Sequence, residues 1–192
     1  MALETIQAGA AANAKYGSTA QSLHWVSAAL IFAVVPLGWE AVSLPMDSPA
    51  DKLMFTLHKS VGLTILAIVA FRLGWRAAHP APPLPGNLAQ WEKAAALSSH
   101  WLLYVILIGM PVSGYVLSTS GGHTVPLFWL FNVPALPKDP AVEGVAKWVH
   151  VVTGQWLVYS LVALHLLATV WHVSMRRDGV LNRMLPAQDG GV

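Results

Sequence analysis

Four apolar runs, each close to or above the ~20 residues an α-helix needs to cross a bilayer, dominate this 192-residue chain. They cover about 18–42, 53–75, 94–117 and 145–175. In hydrocarbon the backbone has no water to bond, so such runs must satisfy their own N–H and C=O groups as helices and pack together. Charged residues are only 10% of the chain against 55% hydrophobic, less than half the roughly 25% charge of soluble domains. The charges collect between the runs. The expected fold is therefore all-α, a four-helix integral-membrane bundle forming one domain over residues 1–192. A net charge of +2, with no basic stripe interleaved with aromatics, argues against nucleic acid and for lipid as the surrounding partner.

Pro36 and Pro111 fall inside the first and third runs, where membrane helices tolerate proline as a kink. Ser18 or Thr19 is the expected N-cap of the first helix. The N-terminal stretch carries acid before base and lacks a cationic region, so it reads as a poor signal peptide, with the first run serving as anchor. The loop HPAPPLPGN is stiff and polyproline-like. The longest loop, Ser118–Gly144, contains PLFWLF at Pro126–Phe131, apolar but too short to span, and reads as an interfacial segment. Lys15, Arg72, Arg76, Lys93, Arg176, Arg177 and Arg183 fall on the side of both termini. Lys52, Lys59, Lys138 and Lys147 fall on the other side, offset by Glu40, Asp47, Asp51, Asp139 and Glu143. That bias predicts both termini in the cytoplasm and the long loop outside.

Four histidines lie inside or at the edges of the runs, where an ionisable side chain marks a functional site by default. His150 and His165 share the last run. Their 15-residue spacing is roughly 22 Å of helical rise and about 60° of rotation, one face at two depths. With alternating helices, His24 lies at the inner depth of His165 and His58 at the outer depth of His150. Two bis-histidine haems stacked across a membrane need this arrangement. Imidazole is a good ligand for haem iron, and two strong axial ligands favour electron transfer over oxygen binding. His172 competes with His165 for the inner position, but its separation from His150, roughly 33 Å, exceeds the ~30 Å hydrocarbon core. There is no cysteine, which excludes disulfides, thiolate haem ligation, iron–sulfur clusters and covalent c-type haem.

The motifs around these histidines are LHW at Leu23–Trp25, LHKSVG at Leu57–Gly62, SGYVLST at Ser113–Thr119, and the WVH and LH segments carrying His150 and His165. Together they resemble the bacterial cytochrome b561 family, four-helix di-haem cytochromes of the inner membrane, over about Tyr16 to Pro186. The resemblance implies two haems b held by His24/His165 and His58/His150, and ubiquinone as exchangeable substrate. It implies either a superoxide oxidase, taking electrons from superoxide to ubiquinone, or a conduit between the quinone pool and a periplasmic redox protein.

Other readings of the same residues stand beside these. The histidines can simply bridge helices. Zinc would want its ligands converged at one depth, and a haem-free transporter would usually carry an intramembrane Asp or Glu, whereas none lies well inside any of the runs. Lys59, next to His58, is a candidate catalytic residue that attracts an anion or pairs with a propionate; an interfacial snorkelling lysine has the same signature. Arg72 and Arg76 are candidates to bind propionates of the inner haem, but the positive-inside bias alone explains them. His100 is a candidate to contact a propionate or a quinone carbonyl, with a bridge between helices the favoured reading. His79 and His123 are expected in solvated loops. Gly62, Gly154, Ala28 and Gly114 are small residues beside the ligands that suit a flat macrocycle packed between helices, or ordinary close helix packing. Trp25, Trp39, Trp75, Trp91 and Trp148 mark an aromatic belt.

Overall fold

The computed structural model describes residues 14–85 and 88–186. Among them four helices are long and apolar enough to cross a membrane: α1 (Ser18–Ser43), α2 (Pro49–Ala78), α3 (Gln90–Ser120) and α4 (Pro140–Arg176). The expected all-α membrane bundle is what forms. The signal-peptide reading rests mainly on residues 1–13 and the end of the proline-rich loop is 86–87; both lie outside the described residues.

The helices reach beyond the apolar runs because capping, not hydropathy, sets where they begin. Ser48 Oγ accepts the Asp51 N–H at 3.1 Å and Pro49 supplies a helix-ready φ at the first position. Asp139 accepts from Ala141 and Val142 at 2.9 and 3.2 Å, ahead of Pro140, so α4 starts before the predicted residue 145. A cap of this kind contributes about 1 kcal/mol. The expected serine or threonine cap of α1 is not used; Gly17 occupies the cap position without a side-chain bond. Both α1 and α3 run on through Pro36 and Pro111.

Two features escape the apolar pattern. α4 contains π-helical turns at Trp148–Gly154 and His172–Arg176, flanking an α-helical stretch at Gln155–Trp171. Such turns recur at functional sites, and each carries a histidine. The PLFWLF segment folds as an antiparallel hairpin, β1 (Val125–Leu127) with β2 (Phe131–Val133). Ser60 on α2 ties it down, donating to the Pro126 carbonyl at 3.1 Å and accepting from the Phe128 N–H.

The bundle is apolar outside and partly polar inside. Phe32, Leu164, Leu167 and Val170 are exposed on its surface, whereas Gln21, Ser27, Ser60 and Thr119 are buried. That inversion suits lipid as the outer medium, where small polar residues between helices add packing and hydrogen bonds. Ile65, Val69 and Tyr104 form a buried cluster at mid-bundle, packed by residues of α1, α2 and α3. At the end opposite the hairpin, residues 14–25 and 183–185 meet. Trp25 Nε1 donates to Met184 O at 2.8 Å and Gln21 Nε2 to Leu185 O at 3.0 Å. Buried Arg183 reaches Ala14 O and Pro83 O at 3.0 and 2.8 Å.

Candidate functional site

At the hairpin end, His58 from α2 and His150 from α4 face each other with ring centres 6.2 Å apart. Each ring is held from behind. His58 Nδ1 lies 2.9 Å from Val34 O on α1, and His150 Nδ1 lies 2.9 Å from Met110 O on α3. A carbonyl only accepts, so each Nδ1 carries the proton and each Nε2 keeps its lone pair. The seats are built alike. Four residues after each acceptor stands a glycine, on the same face of the helix. A Cβ at Gly38 would come within 2.8 Å of His58 Cε1, and one at Gly114 within 2.8 Å of His150 Cε1. The imidazoles therefore lie against bare backbone. Ser113 Oγ adds a second contact to His150 Nδ1 at 3.2 Å.

At the terminal end, His24 from α1 and His165 from α4 stand with ring centres again 6.2 Å apart. Their surroundings differ. His24 Nδ1 faces the Arg72 guanidinium at 3.3 Å, and the His100 ring packs edge-on to His165 at 5.7 Å. Arg72 also lies over the Tyr104 ring, 5.4 Å from its centre.

Two imidazoles bonding one metal from opposite sides, at about 2 Å per bond, put their ring centres roughly 6 Å apart. Both pairs meet that spacing, and the hairpin-end pair also has its tautomers fixed for metal binding by second-shell carbonyls. No group of three or more His, Cys, Asp or Glu converges as a metal cage among the described residues.

The remaining candidates fall into place. Lys59 donates to Thr124 O at 3.0 Å and lies 5.8 Å from the Phe55 ring centre, so it braces the hairpin while standing next to His58. His172 is engaged elsewhere: its Nδ1 is 2.6 Å from Asp178 Oδ2, whose side chain is only 2% exposed. His79 stacks on Trp75 at 3.9 Å and is exposed, as is His123. A side chain at Gly62 would meet no neighbour, and the backbone that lies against the His58 ring is that of Gly38. At Gly154 a Cβ would collide with Met110 and the Val149 carbonyl, so that glycine serves α3–α4 packing. Arg72 does not snorkel outward as the charge bias suggested. Gly38 and the two carbonyl acceptors went unread in the sequence, and for Arg72 the inward position was the less favoured of two readings. The signal was there in the five-residue patterns Val34–Gly38 and Met110–Gly114, each containing a proline, and in the seven-residue spacing of His58, Ile65 and Arg72 along one face of α2.

The family described as prokaryotic cytochrome b561 matches residues 15–187. The chain is 31% identical over 176 residues to cytochrome b561 homolog 2 of Escherichia coli, covering 89% of this chain and 91% of that one. It is 25% identical over 178 residues to the probable superoxide oxidase CybB of Yersinia pestis, covering 92% and 98%. Cytochrome b561 homolog 1 of Escherichia coli is 27% identical over 177 residues, covering 90% and 97%.

Proposed function

Since the chain belongs to the prokaryotic cytochrome b561 family, and is thus a multi-pass bacterial membrane protein of electron transfer, we propose that it is a di-haem superoxide:ubiquinone oxidoreductase of the inner membrane. The observation that carries the reading is the hairpin-end pair, His58 and His150, spaced 6.2 Å apart with both Nδ1 protons committed to carbonyls. His24 and His165 repeat the spacing at the other end. Haem b, bound between each pair, supplies a one-electron couple. The chain's own residues do the rest. Val34 and Met110 hold the tautomers that leave Nε2 free to ligate. Gly38 and Gly114 let the rings sit against backbone. Ile65, Val69 and Tyr104 keep water out of the mid-bundle.

On this reading both termini are cytoplasmic and the hairpin faces the periplasm. Lys59 stands beside His58, where a cationic side chain raises the local concentration of anionic superoxide. The name of the Yersinia relative supports superoxide as donor. The overall reaction balances as two superoxide ions, one ubiquinone and two protons giving two dioxygen and one ubiquinol.

A second reading draws on the hairpin. Its tip residues Trp129, Leu130 and Phe131 are exposed, a surface on which a periplasmic redox protein could dock to exchange electrons with the quinone pool. Stopped-flow mixing of purified protein with superoxide and a soluble ubiquinone analogue separates the two. Cytochrome reduction followed by quinone reduction, with no other protein present, supports the oxidase. An inert response to superoxide in protein that a quinol reduces refutes it in favour of the conduit. A featureless reduced-minus-oxidised spectrum would refute both and leave the haem-free transporter.

A further inference from the structure

Arg72 sits six residues before the end of α2, at the terminal end of the bundle. An arginine there for topology alone extends its stem toward headgroups and water. This one turns inward. Its Nη2 is 3.3 Å from His24 Nδ1 and its Cζ is 5.4 Å from the Tyr104 ring centre, with Tyr104 itself buried. A guanidinium carries five donors and no acceptor, and half-buried Arg72 has its charge drawn partly from water, which favours a counter-charge beside it. Among the described residues no carboxylate pairs with Arg72; the ion pairs present belong to Lys52, His172 and Arg176.

The contact with His24 also conflicts with that residue's proposed role. If His24 ligates through Nε2, its Nδ1 bears the proton and cannot accept from Arg72. Arg72 is then left without a protein acceptor in contact among the described residues, a few ångströms from the ligand. An anion arriving with the cofactor resolves both problems at once.

We propose that Arg72 binds a carboxylate of the cofactor seated between His24 and His165. The proposal rests on the di-haem reading above, under which that carboxylate is a haem propionate. A planar fork matches a carboxylate through two parallel N–H···O bonds, and the Tyr104 face holds the guanidinium by a cation–π contact. The hairpin-end pair has no equivalent arginine contact among the described residues.

The test uses the purified full chain with its haems, in Arg72→Gln and Arg72→Lys forms, with Arg76→Gln as a control cation one turn along α2. Resonance Raman of the propionate bending modes reads the carboxylate directly, and His24→Ala identifies which band belongs to the terminal-end haem. In Arg72→Gln that band shifts while the other haem's band stays. The reduced-to-oxidised ratio of the same haem at fixed ambient potential falls three- to tenfold, about 59 mV being tenfold for one electron. Arg72→Lys shifts the band less, and Arg76→Gln leaves it alone. If Arg72→Gln loses the terminal-end haem altogether, a shifted band in Arg72→Lys sustains the proposal. A wild-type band in Arg72→Gln or Arg72→Lys overturns it, as does an equal shift in Arg76→Gln, even with two haems present. Wild-type protein that purifies without haem fails the di-haem reading itself, and this proposal with it.

Discussion

Gly114→Ala sets two ordinary effects against each other on one helix. Alanine in a helix interior is favoured over glycine by about 1 kcal/mol, so a substitution with room to spare should stabilise α3. At Gly114 there is no room. The new Cβ would stand 2.8 Å from His150 Cε1 and 3.1 Å from its Nδ1. The ring must move, and its bond to Met110 O at 2.9 Å moves with it. Overpacking of this kind costs about 1–3 kcal/mol, and loss of a second-shell bond to a metal-ligating histidine typically weakens binding about 10–100-fold. The two figures agree, since each tenfold is about 1.4 kcal/mol. Gly114→Ala should therefore weaken retention of the hairpin-end haem by one to two orders of magnitude and spare the other. Gly109→Ala, five residues earlier on the same helix with nothing near its Cβ, should behave as wild type or slightly more stable. The assay is haem transfer from detergent-solubilised protein to apomyoglobin, followed by absorbance, which resolves a fast-leaving and a slow-leaving haem. Equal transfer from Gly114→Ala and Gly109→Ala would refute the bare-backbone seat.

Further outcomes follow from the same geometry. His150→Ala and His165→Ala should each lose about one haem per chain while the other stays visible in the reduced-minus-oxidised spectrum, because each ring serves one pair; His172→Ala should keep both, its ring being held by Asp178. A reporter that is active only in the cytoplasm should work when fused at the C-terminus, and activity of a periplasm-only reporter there would reverse every side assignment. Lys59→Gln should slow superoxide-driven reduction about threefold, the Boltzmann factor for a unit charge roughly 7 Å from the approaching anion in water-like dielectric. The difference should fade as salt shortens the screening length below about 8 Å, while reduction by a neutral quinol changes little.

The spans were legible because hydrocarbon leaves the backbone few alternatives, and the depths of the histidines were legible because rise per residue is fixed once a run is helical. The ring pairs His24/His165 and His58/His150 stand together as that arithmetic places them. Hydropathy cannot see what happens inside the bundle. The first π turn in α4 packs against α3, where Gly154 meets Met110, a contact between distant stretches of the chain. The hairpin depends on Ser60, 66 residues from the Pro126 carbonyl it bonds. His100 and Arg72 look like ordinary helix-end residues until α3 and α2 bring them beside His165 and His24. Apolar content marks the long loop's core as an interfacial segment but does not give its local shape, a hairpin that pairs Val125 with Val133.

Low-temperature EPR on the oxidised, purified protein, together with its haem-to-chain ratio, tests the central proposal most directly. Two haems per chain are expected, both giving low-spin ferric signals of bis-imidazole ligation, with one signal lost in His150→Ala and the other in His165→Ala. A ratio near one, a high-spin signal from an open coordination position, or no haem signal would contradict it.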